Sequence, residues 1–457
     1  MTFLLFSLEA ASVALMTAAA GELVLWRPSR SLTRFFESFA VGAGVASFLL
    51  FPLSLVLGSN ALEGIFALLI LSFSAVVALR FRGWKREPGE TVEQPVNFGD
   101  PLSLLFLLAI GIATLLFALQ NWRVAYVWDG FQIWASRAQM LFVEGMLAPE
   151  RFPETLHVAA KIAYPPLVSL LQALMATLHG SFDFDGFKPL FLIFFIGMLV
   201  MTYQAARSVA GSRVALAATA LIAFLPPLST ETAAGGYADM PLAFVVSAVV
   251  ASALGGTPRR NHALPWLIGT LCFVKNEGMV YALITVAVVV IHWLTTRSSI
   301  MLRDRFRANL VPIAALFTMI LGRIAYLEWI DYEDLSFHSL SGDSAGFAFG
   351  RMADVLRLSA IYLFDPRIWG LFWPAFFVAL VIVLRRNRAE VRAIAISVLL
   401  SLAAFQGMFL LTRWDVALHV DQALVRLLSQ VAPAAAVVIA GGYAILSAGQ
   451  SHLSKKS

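Results

Sequence analysis

Apolar stretches close to the length of a bilayer crossing recur along this whole chain with no soluble-looking block between them, and nothing constrains its folding more. A spanning helix needs about 20 mostly apolar residues, because hydrocarbon tolerates only backbone whose hydrogen bonds are satisfied internally. Candidate stretches fall near 3–25, 38–58, 61–79, 101–120, 189–206, 214–228, 240–256, 264–274, 279–294, 308–327, 368–384, 394–412 and 427–447, with 264–274 the weakest. Composition agrees: 60% of the residues are hydrophobic and 13% charged, against roughly 45–50% and 25% in soluble domains. A water-soluble fold could not cover its own surface with so few charges. The expectation is an all-α integral membrane fold of about 13 transmembrane helices, forming one polytopic domain over residues 1–457.

Charge sets the topology. Basic clusters stand at Arg27/Arg30/Arg34, Arg80/Arg82/Lys85/Arg86, Arg207/Arg213, Arg259/Arg260, Arg297/Arg303/Arg305/Arg307, Arg385/Arg386/Arg388/Arg392 and Lys455/Lys456. Cytoplasmic loops collect Lys and Arg. If every cluster is cytoplasmic, an even number of crossings must separate neighbours, and the candidate stretches satisfy this throughout. The chain then reads as a series of hairpins with its C-terminus cytoplasmic. Residues 3–25 have the length of a signal peptide, but no Lys or Arg precedes them and Glu9 interrupts them, so they read as an uncleaved first helix with the N-terminus outside. The same parity forces 264–294 to turn back at Lys275-Asn276-Glu277-Gly278, which lifts two charges out of the hydrocarbon. The formal charge of +5 is dispersed over short loops rather than massed on one face, so positive-inside topology explains it better than a nucleic-acid partner. Cys272, the single cysteine, lies in an apolar stretch and reads as a small buried hydrophobe.

Residues 121–188, 229–239, 330–366 and 413–426 then emerge on the outer side. The first and longest, 121–188, opens with Tyr126-Val127-Trp128-Asp129-Gly130. Phe131, Trp134, Ala138, Leu141 and Phe142 follow at helical spacing, as in an amphipathic helix in the membrane interface. Two readings of Asp129 stand side by side: a helix cap paired with Gln132, or a carboxylate with chemical work. Tyr164-Pro165-Pro166 through Gly180 is placed along the surface as a second juxtamembrane helix, because a crossing there would break the charge parity. The second loop carries Glu231 and Gly235-Gly236-Tyr237-Ala238-Asp239-Met240-Pro241, where Asp239 reads equally as an N-cap. Lys275 and Glu277 read either as an ion pair closing a hairpin or as part of a site. Residues 330–366, the second large outer loop, hold Asp331, Glu333, Asp334, His338 and Asp343. The last holds Arg413, Asp415, His419, Asp421 and Arg426. Acids, histidines, Lys275 and Arg426 on one membrane face suit an anionic headgroup whose lipid tail stays in the bilayer. The chain has no His-Glu-x-x-His run, no Cys-His cluster and no Walker phosphate loop, so neither a structural zinc site nor ATP-driven transport is indicated.

At these residues the chain resembles the multi-pass glycosyltransferases of the GT-C superfamily. The branch is that of the dolichyl-phosphate-mannose protein mannosyltransferases, the lipid A aminoarabinose transferase and the rhizobial lipopolysaccharide core transferases. The resemblance spans roughly residues 101–430. Trp128-Asp129-Gly130, Tyr164-Pro165-Pro166, Tyr237-Ala238-Asp239, Lys275-Asn276-Glu277-Gly278 and His419 through Arg426 with Pro433 carry it. It implies that Asp129 is the general base and Asp239 a second acidic position, with Lys275 and Arg426 offsetting charge on a departing phosphate. Glu277, His338 and His419 join the candidate substrate contacts. Aminoarabinose transferases place a Lys immediately before the Pro-Pro pair, where this chain has Tyr164. Its nearest Lys is Lys161, so Lys161 and Tyr164 are the candidate contacts of that loop.

The function expected from the resemblance is sugar transfer from a polyprenyl-phosphate donor to a glycan, glycolipid or protein acceptor at the outer face of the cytoplasmic (inner) membrane. No cofactor is expected; a divalent cation is left open. A lipid-linked-sugar flippase would put its ionisable groups mid-membrane, and a non-catalytic scaffold would scatter its outer acids.

Overall fold

The structure, a computed structural model, describes residues 2–26, 28, 31–82, 84, 100–147, 163–255, 262–296, 309–330, 337–338, 342–386 and 388–454. Its regular elements are helices, joined by one isolated β-bridge between Phe337 and Thr412. In chain order they are α1 (Thr2–Leu25), α2 (Leu32–Leu57), α3 (Ala61–Phe81), α4 (Pro101–Arg123), α5 (Ser136–Glu144), α6 (Leu167–His179), α7 (Pro189–Ala210) and α8 (Ser212–Ala223). There follow α9 (Asp239–Gly255), α10 (Ala263–Val274), α11 (Asn276–Thr296), α12 (Leu310–Trp329), α13 (Gly342–Leu363), α14 (Phe372–Arg385), α15 (Ala389–Leu411) and α16 (Val416–Ser454). Each stretch expected to cross the bilayer coincides largely with one of these helices, although 214–228 runs past α8 into a separate turn at Pro226–Ser229 and 368–384 begins in another at Pro366–Trp369. Among the described residues, seven helical runs are long and apolar enough to cross by length and composition alone. One of them, Leu32–Phe81, is broken into α2 and α3 by a 3-10 turn at Gly58–Asn60.

The packing is that of a membrane bundle. Small residues let helices approach where large side chains would hold them apart. A Cβ on Gly21 of α1 would lie 1.9 Å from the Ser38 carbonyl oxygen of α2, and one on Gly42 the same distance from that of Thr17. The cooperating ends are visible in hydrogen bonds. At one end of the bundle Arg80 Nη2 reaches Glu22 Oε1 at 2.7 Å, Arg213 grips both oxygens of Asp100, and Arg388 Nη1 donates to the Val209 carbonyl at 3.0 Å. At the other end Leu62 N donates to the Gly145 carbonyl, Asn121 Nδ2 to that of Ala234, and Lys188 Nζ to that of Val124. The basic clusters that hold Arg80, Arg213 and Arg388 therefore share one end, as the parity argument requires. After Cys272→Ala, cysteines at 213 and 388 should react with an impermeant thiol reagent from one membrane face only, and cysteines at 183 and 338 from the opposite face only. Labelling of 388 and 338 from the same face would overturn the hairpin topology.

The structure departs from the sequence expectations in three places. The segment 330–366 contains the 22-residue helix α13, whose Arg351, Asp354 and Arg357 make it amphipathic and hide it from a search for uniformly apolar runs. Helix α6, the expected second helix of the first outer loop, is no such departure: residues Leu167 through Ala176 are all buried, enclosed by α1, α2, α5 and α10. Its 13 residues make a rod of about 20 Å, too short for the roughly 30 Å hydrocarbon core. The turn between α10 and α11 is tighter than expected, a single extended residue, Lys275, with φ −156° and ψ 159°. Finally, His419 and Arg426 lie on α16 rather than in a loop, because α16 starts at Val416 and is 39 residues long.

Candidate active site

Two of the interhelical segments are zipped together backbone to backbone. Val127 N donates to the Gly235 carbonyl at 3.0 Å. Gly130 packs on that same oxygen so closely that a Cβ would meet it at 2.1 Å. Gly236 adopts φ +93°, a left-handed conformation that favours glycine, and a Cβ there would strike the Tyr126 ring at 2.2 Å. Tyr126 is pinned in turn, its hydroxyl accepting from Gln172 Nε2 of α6 at 2.6 Å. The glycines of the Gly-Gly pair therefore let Asp129 and Asp239 stand over one arginine.

Asp129 precedes a π-helical turn, Gly130–Ala135, a distortion that recurs at functional sites. Its side chain makes no capping bond to that turn. Instead Asp129 Oδ2 lies 2.8 Å from Arg426 Nη1. Arg426 Nε donates to Asp239 Oδ2 at 3.1 Å, and the guanidinium stacks on the Tyr237 ring at 4.2 Å from its centroid. Asp239 Oδ1 accepts from Lys275 Nζ at 2.9 Å and from Gln430 Nε2, and Lys275 Nζ also meets Glu277 Oε1 at 2.9 Å. The Tyr281 hydroxyl donates to Gln430 Oε1 at 2.6 Å. Asp239 thus serves three side chains rather than a helix cap. The network has a gradient of burial: Lys275 and Asp239 side chains are 5% and 8% exposed, Asp129 and Arg426 24% each. Its buried half is a structural anchor and its exposed half is open to a ligand.

Charge follows that geometry. Burial opposes the ammonium of Lys275, but the carboxylates of Asp239 and Glu277 outweigh it and hold its pKa above the ordinary value. Burial, with the Asp129 charge added, raises the Tyr237 phenol as well. Three carboxylates face two cations, so the cluster carries a net negative charge when all are ionised. Exposed Trp128 and Phe131 flank Asp129 on the chain and offer apolar surface beside it.

The other candidates are placed differently. Tyr164 is tied into the protein, its carbonyl accepting from Arg137 Nη1 and its ring meeting Trp134 edge-on at 5.4 Å. Lys161, Asp331, Glu333 and Asp334 lie outside the described residues. His338 N donates to the Leu411 carbonyl, and His419 bonds Thr412 Oγ1 at 2.8 Å within a ring of Phe337, Phe409 and Trp414. His419 stands seven residues, about two turns, before Arg426 on α16.

Several partners were not singled out from sequence. Gln430 and Tyr281 had a signal, since polar groups within apolar helices are costly and functional by default; Gln430 also sits one turn beyond Arg426. Arg323 of α12 carried the same signal. It donates to the Ala163 carbonyl and to Asn276 Oδ1 at 2.9 Å, linking the return of the first outer loop to the Lys275 turn. Arg137 joins it through the Tyr326 hydroxyl at 3.3 Å.

The all-helical bundle is similar to solved structures of ArnT from Cupriavidus metallidurans. The chain shares the fold of these ArnT structures. The ArnT structure in the apo state superposes with a TM-score of 0.50 at 17% identity, over 75% of this chain and 60% of that one. The structure bound to undecaprenyl phosphate gives 0.51 at 18% identity, over 74% and 60%. The chain therefore matches about 60% of the length of ArnT. No protein-family model matches it, and neither does any curated protein.

Proposed function

We propose that the chain transfers a sugar from a polyprenyl-phosphate donor to a hydroxyl-bearing acceptor, a glycan, glycolipid or protein, at the outer face of the cytoplasmic membrane. The carrying observation is the contact of Asp129 with Arg426, 2.8 Å apart at the exposed edge of an otherwise buried ion-pair network. It pairs a base with a phosphate ligand. In the reaction the acceptor oxygen attacks the anomeric carbon as the bond from that carbon to the phosphate oxygen breaks. The acceptor proton passes to Asp129, and polyprenyl phosphate leaves with the bonding electrons. Backside attack of this kind inverts the anomeric centre. A guanidinium matches two phosphate oxygens at once and suits the leaving group better than a point charge. Lys275, locked between Asp239 and Glu277, keeps Asp239 in place rather than reaching for phosphate.

Undecaprenyl phosphate bound to ArnT supports a lipid-phosphate donor of this class. The transport reading expected ionisable groups mid-membrane, whereas this network gathers at the first residue of α9, at the α10–α11 turn and on the N-terminal part of α16, which supports a site at helix ends. The reading calls on no cofactor.

The test is a reconstituted chain given a panel of undecaprenyl-phosphate sugars with membrane glycolipid acceptors, with release of undecaprenyl phosphate as readout. Turnover of at least one donor is expected. Movement of donor across the bilayer without turnover would instead favour the flippase. With an active donor in hand, Arg426→Lys should raise its apparent KM by about tenfold, since a fork is replaced by a point charge. An unchanged KM would remove Arg426 from the phosphate.

A further inference from the structure

The transferase reading, on which this inference rests, leaves a difficulty in the geometry. The carboxylate that must accept a proton is already engaged by the cation that must hold the phosphate. The two contacts of Arg426 are unequal. Its Nε edge is fixed: Asp239 is buried, held by Lys275 and Gln430, and Tyr237 lies flat beneath the guanidinium. Its Nη1 end reaches instead to Asp129, which is three times as exposed as Asp239 and stands at the head of a π-helical turn. A guanidinium anchored along one edge exchanges partners at the other without leaving its seat.

We propose that Arg426 is a latch on the base. The donor phosphate draws its Nη edge away from Asp129, and the carboxylate released by that exchange takes the acceptor proton. Charge drives the exchange in both directions. Without donor, the cluster has three carboxylates for two cations, and Arg426 is Asp129's recorded ion partner. With donor bound, a phosphate offers the guanidinium two oxygens in the planar geometry it matches best. Asp129 then meets like charge at the phosphate and turns towards the acceptor. The latch keeps the base occupied until a donor is seated, which restricts proton abstraction to the loaded site.

The inference makes an unusual demand: removing the base should tighten the carrier. In nanodiscs, undecaprenyl phosphate without sugar should bind Asp129→Asn about tenfold more tightly than wild type, because its competitor for Arg426 has lost its charge. Arg426→Gln should bind weakly, and adding Asp129→Asn to it should bring no gain, the non-additivity expected of residues that share one interaction. If Arg426→Gln fails to insert, Arg426→Lys serves the same purpose and should shrink the gain. Equal or weaker binding by Asp129→Asn, or a gain that persists in the Arg426 variants, overturns the latch. A wild type that binds no undecaprenyl phosphate sinks the transferase reading along with it. Wild-type binding without the gain sinks the latch alone.

Discussion

Asp129→Asn should lower transfer by about 10²–10⁴-fold, the range typical of a lost general base, while the protein inserts and survives heating like wild type. The two halves of that expectation have separate causes. The rate falls because an amide cannot take the acceptor proton, and Asp239, the other carboxylate on Arg426, is committed to Lys275, Arg426 and Gln430. Stability holds because the ion pair with Arg426 is partly exposed, and such pairs contribute only about 0–1 kcal/mol. The capping alternative reverses the pattern, with about 0.5–2 kcal/mol of stability lost and turnover intact. Single-turnover assays on protein matched for monodispersity distinguish the two. Wild-type turnover in well-folded Asp129→Asn would end the catalytic assignment.

The parts of this fold that were legible in sequence are those where hydrocarbon acts as a filter. A run of about 20 apolar residues is visible because no soluble segment needs one, and even the 12-residue helix α10 was recognised, its turn back at Lys275 read from charge parity rather than length. Helix α13 passed unseen since its apolar and charged residues alternate around the helix. At the site, Asp129, Asp239, Lys275, Glu277 and Arg426 were each visible as polar residues at the ends of apolar runs. Their pairing was not. Asp129 with Gln132 and Asp239 before Met240-Pro241 look like caps because a local pattern carries no record of an arginine arriving from α16, 187 residues beyond Asp239. Gly235 and Gly236 serve a close backbone approach to Gly130 and Tyr126, which no local pattern displays. His419, grouped with the acids on sequence, is engaged by Thr412 and three aromatic rings.

Asp239 should behave in the opposite way to Asp129, with stability and activity lost together. Its carboxylate is 8% exposed and ties α9 to the Lys275 turn and to α16 through Arg426 and Gln430. Removing one partner of a buried ion pair costs about 3–5 kcal/mol, because the other charge is left desolvated. In Asp239→Ala, Lys275 retains Glu277 while Arg426 is left with the partly exposed Asp129. Asp239→Ala should therefore aggregate several degrees below wild type in detergent and show no transfer. Asp239→Asn keeps the volume but turns an amide towards two cations, so it should lie between. The double variant Asp239→Asn/Lys275→Gln removes opposite charges together and should recover part of the heat resistance lost in Asp239→Asn, since neutral replacements of a buried pair are often tolerated. Transfer should not return with it, because Arg426 remains without its buried anchor and swings free of the position from which it meets both Asp129 and phosphate. Heat-treated size-exclusion profiles beside donor turnover separate these effects. Wild-type heat resistance in Asp239→Ala would mean that apolar packing alone holds α9, α10 and α16 together and that the buried carboxylate has no structural part in the site.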